Sequence, residues 1–112
     1  MLYQNQGNTY ELALSQSDPH RRKRRFLCIC TGGNVRSVAL AQLIKEKGHE
    51  AIAIGEKYTT YETATWMLSW ANIVVDVREY LPEDIWHNPR DPDLQKEVKK
   101  IWKKLEAKLH SA

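Results

Sequence analysis

A cysteine, two glycines, an arginine and a serine stand close together in Cys30-Thr31-Gly32-Gly33-Asn34-Val35-Arg36-Ser37, and their order suits the handling of a tetrahedral oxyanion. The short apolar run Phe26-Leu27-Cys28-Ile29-Cys30 leads into this segment, and an apolar spacing of helical period leads out of it. A strand that passes through a glycine turn into a helix gathers several backbone N–H groups around one point, where the helix dipole also favours negative charge. Arg36, six residues after Cys30, would bring its guanidinium back to that point and offer two parallel hydrogen bonds to the anion. Cys30 at the same focus would feel the helix end and the arginine together, surroundings that favour a thiolate and make it a nucleophile at neutral pH. Ser37 adds a hydroxyl able to donate to that thiolate. The chemistry this set allows is transfer of a phosphoryl group to sulfur.

The elements that must hold these residues can be read from periodicity. Residues 26–30 form a continuous apolar run, as in a strand buried on both faces of a parallel sheet. From Asn34 the apolar positions Val35, Val38, Ala39, Leu40, Ala41, Leu43 and Ile44 follow helical spacing, and Lys45-Glu46-Lys47-Gly48 ends the helix. Ala51-Ile52-Ala53-Ile54 is a second strand, completing a right-handed βαβ unit. A helix from about Tyr61 to Ala71, with Ala64, Met67, Leu68 and Ala71 on one face, precedes a third strand, Ile73–Val77. Ile85-Trp86-His87 is a candidate fourth strand. After Pro89-Arg90-Asp91-Pro92 the last helix carries a stripe of Leu94, Val98, Ile101, Trp102, Leu105 and Leu109, with six lysines between Lys96 and Lys108 facing water. Residues 1–25 read as a polar and basic extension, with one alternating stretch at Tyr10–Leu14, and residues 26–112 as a single α/β domain.

Length and composition agree with that division. A chain of 112 residues with 42% hydrophobic and 28% charged residues suits one globular core. No apolar run is long enough to span a bilayer, and the N-terminus lacks a secretory apolar stretch, so a cytoplasmic location is expected. Cys28 and Cys30 are too close in sequence to close a useful loop, which suits a reducing compartment. Cys28 shares a strand face with Cys30; burial is its plainer role, and a strained reversible disulfide protecting Cys30 is the alternative. The net charge of +3 owes its sign to Arg21-Arg22-Lys23-Arg24-Arg25, read as a solvated arm in preference to a nucleic-acid anchor. His20, His49, His87 and His110 are scattered, so no metal site is expected, and neither a triphosphate loop nor a dinucleotide fingerprint is present.

Residues 26–37 resemble the phosphate-binding loop of the low-molecular-weight protein tyrosine phosphatases, whose signature is a Cys, five residues, an Arg, then Ser or Thr. The likeness continues more loosely to about Leu109, through Trp70-Ala71-Asn72-Ile73-Val74-Val75 and an Asp-Pro pair before the last helix. The resemblance implies a three-layer α/β/α fold on a four-stranded parallel sheet and a hydrolase of phosphotyrosine or other phosphomonoesters that needs no metal or cofactor. In that scheme Cys30 forms a phosphocysteine, Arg36 clamps the phosphate, and the loop residues Thr31, Gly32, Gly33, Asn34, Val35 and Ser37 surround it. Asp91 would be the general acid, with Asp93 as the fallback. An Asp before a Pro is also a helix N-cap signature. Gly33 stands where the family carries Asn, and Asp93 where an aromatic residue often follows the Asp-Pro pair. Other readings are a phosphocysteine carrier of the phosphotransferase-system B type, whose members generally lack the loop arginine, and a phosphate-binding module with little turnover. A thiol-dependent arsenate reductase would need cysteines downstream of Cys30, and there are none.

Overall fold

The computed structural model describes residues 23–32 and 35–111. The order of elements is β1 (Arg25–Cys30), α1 (Arg36–Glu46), β2 (Glu50–Gly55), α2 (Tyr61–Trp70), β3 (Ile73–Asp76) and α3 (Pro92–Ser111), with single 3-10 turns at Glu56–Tyr58 and Val77–Glu79. Gly48 follows the first helix with φ 94°, the left-handed turn that a glycine allows without strain.

The three strands form one parallel sheet in the order β2-β1-β3. Central β1 pairs Cys28 with Ala53 on one side and Val75 on the other, and Cys30 with Gly55. The chain steps from β1 to β2 on one side, then back past β1 to β3. Right-handed crossovers on those two steps put α1 and α2 on opposite faces of the sheet. The face bearing Phe26, Cys28 and Cys30 packs against Ala39, Leu40, Leu43 and Ile44 of α1 and against Leu94, Val98, Ile101, Trp102 and Leu105 of α3. The stripe read from the last helix is thus buried, with Leu109 partly so, and its six lysines are exposed. On α2 Ala64 and Met67 are half-buried, whereas Leu68, expected on the same face, is exposed.

The fourth strand expected at Ile85-Trp86-His87 is not formed: among the described residues the sheet has three strands, and 81–91 carries neither helix nor strand. Pro82 and Pro89 bracket that stretch, and a proline biases the residue before it toward extended backbone while removing a ladder donor. Ile85 is exposed, so no burial rewards pairing. The basic pentad is not wholly a solvated arm either. Arg25 is the first residue of β1 and its Nε donates to the Trp70 carbonyl at 2.6 Å, while the Arg24 N–H donates to His49 Nδ1 at 3.0 Å. Arg21, Arg22 and the stretch Tyr10–Leu14 lie outside the described residues. No helix among the described residues is long and apolar enough to cross a membrane.

Candidate functional site

In an open parallel sheet, the crevice at the carboxyl ends of the strands opens where neighbouring crossovers leave toward opposite faces. Here α1 leaves β1 and α2 leaves β2 toward opposite faces, so that point lies at the carboxyl ends of β1 and β2, and Cys30 is the last residue of β1. Its thiol, 2% exposed, donates to Ser37 Oγ at 3.1 Å, and Ser37 is wholly buried. With the sulfur ionised, the same pair carries a hydroxyl-to-thiolate bond. The Lys57 N–H donates to the Thr31 carbonyl at 3.1 Å, tying the start of the loop to the 3-10 turn after β2.

Helix α1 begins at Arg36 after Val35, which contributes no side-chain cap, and its first turn holds no acidic residue. Arg36 is 3% exposed. A buried guanidinium at the positive end of a helix opposes the dipole, an arrangement that favours an anion at that position. Arg36 Nη1 donates to the Leu81 carbonyl at 2.6 Å, and its Nε lies 3.7 Å from Oδ1 of Asp84, a carboxylate 61% exposed.

A second group of charges fences the same edge. Arg78, just after β3, holds the Asp76 carboxylate through Nε and Nη2, both at 2.9 Å, and reaches Glu56, just after β2, at 2.6 Å. Because β1 lies between β2 and β3, this bridge crosses the carboxyl end of β1. The hydrogen bonds from Arg78 hold the Asp76 carboxyl below its usual range, and the charge on Arg36 adds to that effect. The two carboxylates in turn raise the Arg78 guanidinium, Asp76 most. Beneath the loop, Cys28 is wholly buried; desolvation first, then the charge of Cys30, pushes its thiol up to about 12.

The structure bonds Cys30 to Ser37, the residue that follows Arg36, and places Thr31 and Gly32 at the exit of β1; Gly33 and Asn34 lie outside the described residues. Asp91 is the N-cap of α3: its carboxylate accepts from the Asp93 N–H and its carbonyl from the Gln95 N–H, both at 2.9 Å. Arg90 and Gln95, either side of it, line a groove of about 450 Å³ with Gln42, Lys45 and Glu46. Those α1 residues lie six to ten positions beyond Arg36, roughly 9 to 15 Å along the helix. The Asp93 carboxylate accepts from the Trp86 indole N–H at 3.1 Å.

Asp84 is the site neighbour that the sequence reading passed over. It sits in the loop after β3, 48 positions beyond Arg36 in sequence, and only the folded chain brings the two side chains together. Among the described residues no group of His, Cys, Asp and Glu side chains gathers to hold a metal ion. Comparison of the chain with models of known protein families, with curated proteins and with solved structures finds no match.

Proposed function

We propose that this protein is a metal-independent phosphomonoester hydrolase of the protein tyrosine phosphatase type, acting through a phosphocysteine on Cys30. The observation that carries the reading is the buried Arg36 guanidinium at the uncapped start of α1, next in sequence to the Ser37 that bonds the buried Cys30 thiol. A phosphate dianion at that point gains the arginine and the helix N–H groups at once, and complements a cation that α1 alone disfavours. The Cys30 sulfur attacks phosphorus, the S–P bond forms as the bond to the ester oxygen breaks, and that oxygen leaves with a proton from a neighbouring acid. Water then attacks phosphorus, the S–P bond breaks, and Ser37 donates to the departing thiolate. Arg36 holds the equatorial oxygens through both steps. The resemblance of residues 26–37 to the low-molecular-weight phosphatase loop points to phosphotyrosine or another aryl phosphate as substrate, and a fold of that type to a cytoplasmic, reducing setting for the thiol.

The test is hydrolysis of p-nitrophenyl phosphate in the presence of a chelator by the wild type and by Cys30→Ser. Turnover that is metal-independent and absent in Cys30→Ser is expected, with a phosphocysteine trapped on acid quench. A stable phosphocysteine without turnover would favour the carrier reading, and phosphate binding without either would favour a binding module.

A further inference from the structure

We infer that Asp84, and not Asp91, is the carboxyl that passes the proton to the leaving oxygen; the inference rests on the phosphatase reading above. In-line displacement places the leaving oxygen opposite the attacking sulfur, with the phosphoryl oxygens between them. Cys30 is only 2% exposed, so an ester that reaches its sulfur has its leaving oxygen on the solvent side. The acid must therefore stand on the open side, within reach of an oxygen whose phosphorus is clamped by Arg36.

Asp84 meets both conditions. Its Oδ1 is 3.7 Å from Arg36 Nε, and it is 61% exposed while the arginine is 3% exposed. The loop that carries it is tied to Arg36 three residues earlier, through the Leu81 carbonyl that accepts from Arg36 Nη1, and to the first turn of α3 two residues later, through the Trp86 indole bonded to Asp93. A carboxyl anchored on both sides in this way is held near the clamp at little conformational cost. Asp91 and Asp93 are committed to the first turn of α3, as cap and as acceptor of the Trp86 N–H, and the groove beside Asp91 opens toward the far half of α1.

The proton balance is simple. In the first step the protonated Asp84 gives its proton to the ester oxygen as the P–O bond breaks and the S–P bond forms. In the second it takes a proton from the attacking water as the S–P bond breaks, which restores the acid.

The experiment compares wild type, Asp84→Asn, Asp84→Glu and Asp91→Asn on phosphotyrosine and on 2,4-dinitrophenyl phosphate, whose phenolate departs without a proton. Asp84→Asn should lower kcat on phosphotyrosine by roughly 10²- to 10⁴-fold and much less on the activated ester. Asp84→Glu should restore part of the rate on phosphotyrosine. Phosphate protection of Cys30 from iodoacetate, retained in Asp84→Asn, shows that the cradle is intact. Wild-type phosphotyrosine rates in Asp84→Asn, or a fall on both esters alike, overturns the assignment. So does a selective loss on phosphotyrosine in Asp91→Asn with Asp84→Asn unaffected. Absence of turnover in the wild type would remove the phosphatase reading itself, and this inference with it.

Discussion

Replacing Arg36 by lysine keeps the charge and removes the geometry, which makes it a direct measure of the clamp. The guanidinium serves two directions from one rigid plane, Nη1 toward the Leu81 carbonyl at 2.6 Å and Nε toward Asp84 at 3.7 Å. A lysine ammonium cannot hold the Leu81 carbonyl and also present two parallel donors to a phosphate. One charge-assisted hydrogen bond lost from the phosphate corresponds to about 1.5–3 kcal/mol, or roughly 10- to 150-fold weaker binding. If the ammonium turns to the phosphate, Leu81 keeps an unpaired carbonyl in a region where Leu81 itself is buried, a further cost of about 1–3 kcal/mol in folding stability. The assay is the rate of Cys30 alkylation by iodoacetate at increasing inorganic phosphate, which reports binding without requiring turnover. Arg36→Lys should move the half-protection point up by one to two decades and lower Tm by several degrees. A half-protection point indistinguishable from wild type would show that Arg36 does not clamp an anion there.

Alkylation should also distinguish the two cysteines: Cys28, buried and with its thiol pushed up to about 12, should stay unmodified at neutral pH, so peptide mapping should find the label on Cys30 alone and Cys28→Ser should not change the rate. His49 makes stability depend on mild acid. Its Nδ1 accepts from the Arg24 N–H and its ring meets Phe26 and Trp102 at 5.4 and 5.6 Å, and burial first, then Arg24, lowers its pKa below 6.5. The unfolded chain therefore binds the proton first, so the urea midpoint should fall as pH drops below about 6.5, level off once the folded form is protonated, and lose this dependence in His49→Asn. Phe26, wholly buried and in edge contact with His49 and Trp102, should cost about 3–5 kcal/mol when replaced by alanine, measured by urea denaturation.

Much of this arrangement was legible because local chemistry and tertiary placement agree. The run 26–30 is short, apolar and closed by Gly32-Gly33, which favours a buried strand, and the change to helical spacing after the glycines sets Cys30 at a strand end and Arg36 at the following helix start. The last helix showed itself through Leu94, Val98, Ile101, Trp102 and Leu105, since an apolar stripe of that length has no other outlet. What escaped were matters of long range. Ile85-Trp86-His87 has strand-like residues, but whether they pair depends on a neighbour that periodicity cannot supply. Asp91-Pro92 carries the pattern of both a helix cap and a catalytic acid; the cap half is local and legible, and the bond from the Asp93 N–H bears it out, whereas an acid's role depends on what it faces across the fold. Asp84 lies in a loop without a motif, and its ion pair with Arg36 spans a sequence gap no local rule bridges.

The position of β1 between two partners gives the site a gradient of local stability. Amides of β1 are hydrogen-bonded to β2 on one side and β3 on the other, so they should exchange with solvent only when the whole domain opens. Residues 81–91 carry no helix or strand, and segments of that kind open at much lower free energy. On gentle warming, the thiol and its anion cradle should therefore outlast the loop that bears Asp84. If the protein is the phosphatase proposed above, in that interval it would still take a phosphoryl group from an ester whose alcohol leaves unaided, while cleavage of unactivated esters faded first.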